Sequence, residues 1–160
     1  MDDSDWYRLF KTLHVIAVIL LGGGFVLEGI VGSLVARVHT VQEARAYATL
    51  LYISENFLSI PAATAVAVFG YLTANKFDVD LDVTWLVIAQ VLFYGIVILA
   101  LAFLRPAANA LYRLTREAPD GPLTPEIAAK LQGKAAAIVG PVTAVMFAAI
   151  VYLMVAKPGW

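Results

Sequence analysis

Between Leu13 and Val35 the sequence carries one formal charge, Glu28. A helix over this stretch, at 1.5 Å per residue, is roughly 34 Å long and covers a hydrocarbon layer of about 30 Å. Backbone polar groups in lipid must be paired within the protein, so a run of this length and apolarity reads as a membrane-crossing helix. The apolar stretches 47–73, 83–104 and 135–155 repeat the pattern. The expected fold is all-α: a polytopic membrane protein, a four-transmembrane-helix bundle, with 1–160 as one integral membrane domain.

Composition agrees. Hydrophobic residues make up 61% and charged residues 14% of the chain, and the mean hydropathy is +0.82, against about 45–50% apolar and 25% charged in soluble domains. A net charge of -1 without a basic tract gives nothing to neutralise a phosphate backbone, which argues against nucleic acid as a partner. Membrane lipid is the expected partner, with a homodimer or a larger membrane complex beside it. Cysteine is absent, so disulfides, thiolate iron–sulfur ligation and cysteine nucleophiles are excluded. The opening MDDSD is acidic where a secretory signal is basic, and the first helix is expected to stay as an anchor.

The links carry the orientation. Arg37, Arg45, Arg105, Arg113, Arg116, Lys130 and Lys134 fall on one side, and Arg8, Lys11, Lys76 and Lys157 on the other with Asp2, Asp3, Asp5, Asp78, Asp80 and Asp82. The positive-inside rule then puts both termini and the 75–82 link outside. Trp6, Trp85 and Trp160 mark that outer boundary. Pro61 predicts a kink in the second helix. The cluster EAPDGPLTP is a breaker, with Thr124 as N-cap and Pro125 as first residue of a fourth helix that starts well before its membrane entry. Helices 3 and 4 are expected to protrude there as a small hairpin.

Two groups of residues carry chemistry. Glu28 lies about nine residues before Arg37 and Glu55 about ten after Arg45, so each is expected roughly 12–15 Å deep, near mid-depth, where antiparallel neighbours bring both carboxylates to one level. A shared proton is the natural outcome. Tyr94 on helix 3 and Asn56 beside Glu55 complete the expected intramembrane polar cluster. Such a pair serves a proton path or ligand site, an intersubunit contact, or packing alone.

The second group surrounds His14, one turn into the apolar run. Lys11 shares its face, and Gly22 and Gly23 lie below it, leaving room for the edge of a flat ring. Gln90 on helix 3 approaches the same level. His14 is accordingly the candidate metal ligand, and haem b in an outer cavity between helices 1 and 3 the candidate cofactor, a packing histidine being the alternative. His39 lies about 25 residues away, roughly 37 Å of helix, so the two histidines cannot hold one metal within a protomer. Gly22-Gly23-Gly24 lacks the strand and GKS/GKT ending of a phosphate loop, and with Gly29, Gly32 and Ser33 it reads as close helix packing. No residue set defines a catalytic group.

The opening YRLFKTLHVIAVILLGGGF resembles three groups of small bacterial membrane proteins: the copper-resistance CopD type, the HemJ type of protoporphyrinogen oxidase, and an uncharacterised family of predicted four-helix integral membrane proteins. The last matches best in length and simplicity. The HemJ resemblance implies that His14 contacts a haem or porphyrin, that Lys11 belongs to that site, and that Gly24 matches its helix glycine. Leu21 stands where that pattern has tryptophan, and Gly29-Ile30 where it has Pro-Arg. The resemblance implies a bacterial cytoplasmic (inner) membrane. Three functional classes follow: a haem- or redox-associated membrane protein, a structural or accessory subunit of a membrane complex, and a proton-coupled permease.

Overall fold

The computed structural model describes residues 2–76 and 80–158, with the backbone alone for 134–136; Asp78 and Trp160 lie outside the described residues. Helix α1 runs Asp3–Ser33, followed by a 3-10 turn Val35–Arg37. Helix α2, Val41–Ile53, passes through a π turn, Ser54–Ser59, into α3, Ile60–Lys76. Helix α4, Thr84–Leu99, passes likewise through a π turn, Ala100–Leu104, into α5, Arg105–Glu117. Helices α6, Pro125–Leu131, and α7, Lys134–Ala156, complete the chain. Four continuous segments, Asp3–Arg37, Val41–Lys76, Thr84–Glu117 and Ala137–Ala156, are long and apolar enough to cross a membrane. The all-α, four-span expectation holds.

Local chemistry sets the boundaries. The Asp2 carboxylate accepts from Asp5 N–H and the Asp5 side chain from Asp2 N–H, a capping box that starts α1 well before its apolar stretch. Thr40 and Glu43 form a second box, so α2 begins at Val41, ahead of the expected apolar stretch 47–73. Thr124 caps α6 and Pro125 opens it, as expected. The helix nonetheless stops at Leu131, and the backbone leaves helical geometry at Gly133 (φ -57°, ψ 117°), which caps the next helix. The fourth span is therefore a separate helix rather than a continuation of α6.

Pro61 and Pro106 each follow a π turn. A proline has no N–H to offer the ladder and its ring crowds the turn before it. The widened turn takes up that misfit: Ile60 N–H bonds Glu55 O and Arg105 N–H bonds Ala100 O, each five residues back.

In the apolar part α3 packs on α1, α7 lies against α1 and α4, and α4 packs chiefly on α7. Long apolar faces stay uncovered, among them Ile19, Val26, Phe57, Val91, Ile98, Val145 and Val155; these are the lipid-facing surface. At the terminal side the Lys76 ammonium meets the Asp3 carboxylate at 2.6 Å, and Lys157 lies over the Trp85 ring.

The opposite end forms a head. Val41, Ala44, Ala48, Leu111 and Ile127 make a dry core between α2, α5 and α6. Arg45 locks it, donating to the carbonyls of Thr115 (3.0 Å) and Ala118 (2.9 Å) and pairing with Asp120 at 2.9 Å. These carbonyls end α5 and have no partner within their own helix. A main-chain bridge closes the head: Val41 N–H donates to Gly121 O, and Leu123 N–H to His39 O. The protruding part is thus a three-element cap including the start of the second span, larger than the expected hairpin of helices 3 and 4.

Candidate functional site: a carboxyl pair at a π turn

Glu28 and Glu55 meet. The Glu28 Oε1 accepts from the hydroxyls of Ser54 and Ser59, both at 2.9 Å, and its carboxyl group lies within hydrogen-bonding reach of Glu55's. Glu55 is 3% exposed, and its Oε1 has no hydrogen-bond partner. Both carboxyl groups are acceptor-only when ionised, so a direct hydrogen bond between them would require a proton on one of them.

The π turn builds the pair's cradle. Five residues of regular helix turn through roughly 500°, which would leave Ser54 and Ser59 about 140° apart. The i→i+5 turn widens the helix and brings both hydroxyls to one oxygen. Gly24, one turn before Glu28, makes room: a Cβ there would collide with Ser59 Oγ. Neither serine stands out in the sequence. Their spacing of five before Pro61 is the signal that could have found them.

Asn56 extends the cluster to the third span. Its Nδ2 donates to Tyr52 O at 2.9 Å and to Asn109 Oδ1 at 3.0 Å, and its Oδ1 accepts from Arg105 Nε at 3.0 Å. Arg105, the first charge after the third apolar run, is close enough for its field to act on Glu55. The carboxyl pair is thereby linked through Asn56 to the first residue of α5, while Arg45 belongs to the head.

Tyr94 does not join the cluster. It is 58% exposed on the lipid-facing side and lies about 16 Å along the helix from Arg105.

The residues expected around His14 diverge. Its Nδ1 lies 3.0 Å from Val66 O, and its ring fills the notch over Gly70, where a Cβ would lie 2.9 Å from Cε1. His14 therefore faces α3; α4, which carries Gln90, packs on α7 instead. Gln90 donates to Leu81 O at 3.3 Å. Lys11 is exposed, its ammonium 5.6 Å from the Tyr7 ring centre. A Cβ at Gly22 would touch Phe147 of α7, and one at Gly23 would meet nothing within 4 Å. Of this set, His14 alone keeps a nitrogen suited to a ligand: the carbonyl can only accept, so Nδ1 carries the hydrogen and the neutral ring's Nε2 keeps its lone pair. The described residues contain no group of three or more His, Cys, Asp or Glu side chains arranged to hold a metal ion.

A family model described as "Predicted integral membrane protein (DUF2269)" matches residues 8–158. The chain belongs to that family. No curated protein and no solved structure matches it. The match takes in the first span of the DUF2269 chain from Arg8 onward and the other three whole, and with them Glu28, Glu55, Asn56 and Arg105.

Proposed function

We propose that this DUF2269 protein is a proton-exchanging component of a bacterial cytoplasmic membrane, its head in the cytoplasm and its termini outside. The observation that carries the reading is the Glu28–Glu55 contact, with one buried Glu55 oxygen left without a partner. Ionisable groups in membrane spans are costly and by default mark a functional site. Two serine hydroxyls hold Glu28 as acceptor, so the exchangeable proton sits on the Glu55 side. It leaves as an O–H bond breaks to a water arriving past Asn56 and Arg105, and returns by the reverse step. Arg105 offsets the negative charge left behind.

The reading is tested by reconstituting the protein in a solid-supported membrane and stepping the pH on the head side. The expected result is a transient proton current in the native protein, lost in Glu28→Gln and in Glu55→Gln. Equal currents in native protein, variants and protein-free membrane would overturn it.

A second reading keeps haem b, supported by the N-terminal resemblance to the HemJ type and by the available Nε2 of His14. A Soret band on gently purified protein, abolished by His14→Ala with the helices intact, would establish it. A colourless protein whose His14→Ala variant loses only stability would leave His14 as a packing residue.

A further inference from the structure

A shallow, open cavity of about 380 Å³ lies along the solvent-exposed face at the start of α5, lined by Leu101, Arg105, Pro106, Asn109, Ala110 and Arg113. Arg105, Asn109 and Arg113 recur every four residues, so α5 presents all three on one face. Their hydrogen bonds leave other donors on that face unengaged. The Nε of Arg105 is held by Asn56 Oδ1, which fixes the guanidinium and leaves both Nη groups to donate. Asn109 spends its oxygen on Asn56 Nδ2, which leaves its own Nδ2 hydrogens as donors. Arg113 supplies a second guanidinium, and no acidic side chain lines the cavity.

We infer that this cavity binds an anionic phosphate group. Planar guanidinium forks match phosphate oxygens, and charge-assisted hydrogen bonds are the strong ones. Leu101 is the exposed apolar end of this row, so the cavity straddles the change from apolar surface to charged head. That is the level of a phospholipid headgroup, and free phosphate presents the same chemistry from the aqueous side. The site shares Arg105 with the carboxyl cluster, and its test therefore rests on Arg113, which takes no part in that cluster.

The test places the full-length protein in nanodiscs and measures, by native mass spectrometry, retention of phosphatidylglycerol against phosphatidylcholine of the same acyl chains. Inorganic phosphate is titrated in parallel by calorimetry. The expected result is selective retention of phosphatidylglycerol, weakened about tenfold by Arg113→Gln, the loss of one charged hydrogen-bonding partner. Arg116→Gln should have no effect, because that guanidinium lies over the Tyr112 ring and does not line the cavity. Phosphate binding without lipid preference, sensitive to Arg113→Gln, keeps the anion site and assigns it to soluble phosphate. Equal retention of both lipids with no phosphate binding would overturn the inference, as would equal losses in the Arg113 and Arg116 variants at unchanged helicity.

Discussion

At the scale of single residues, the site depends on which groups oppose Glu28. Replacing Glu28 by glutamine keeps a carbonyl for the Ser54 and Ser59 hydroxyls, whereas leucine removes their acceptor. Glu28→Leu is expected to destabilise the bundle by about 1–3 kcal/mol more than Glu28→Gln, read from unfolding in mixed detergent. Gly24→Ala forces a methyl against Ser59 Oγ and should cost about 1–3 kcal/mol by overpacking. The double variant with Ser59→Ala should recover most of that loss, and purely additive costs would show that the contact is not what constrains Gly24. Glu28 and Glu55 are readable as partners in the sequence because charges are rare in apolar runs. Gly24 and the serines are not, because their roles appear only once two helices touch.

At the scale of elements, the π turns and the head clamp are what periodicity conceals. A count at 100° per residue cannot foresee a widened turn, so it separates Ser54 from Ser59 and assigns Pro61 only a kink. Depth counted along the helix places Tyr94 beside the cluster, whereas its side chain lies exposed on the outer face. The Thr40 and Glu43 box starts α2 at Val41, ahead of the apolar stretch 47–73 that hydropathy alone picks out. Arg45 counts in the sequence simply as a basic residue near a boundary, while in the structure it ends α5. Arg45→Met should leave the Thr115 and Ala118 carbonyls without their donor, costing about 1–3 kcal/mol. Limited proteolysis should then cut within 118–122 faster than in the native protein, and an unchanged cleavage rate would count against the clamp.

At the scale of the whole molecule, apolar length and charge asymmetry made the four spans legible. What they could not give is which helices are neighbours: α1 with α3, and α4 with α7, an arrangement that draws Gln90 away from His14. Orientation is checked by single cysteines at Asp120 and Asp80 in intact cells. A membrane-impermeant thiol reagent should label the second and not the first; the reverse pattern would invert the topology. The most direct measurement on the central claim, a proton shared by Glu28 and Glu55 and exchanged from the head side, is infrared difference spectroscopy of the reconstituted protein. The account predicts a protonated-carboxyl band that shifts on exchange into D₂O and that disappears or moves in both Glu28→Gln and Glu55→Gln. A band unchanged in both variants, or fully ionised carboxylates at both positions, would contradict it.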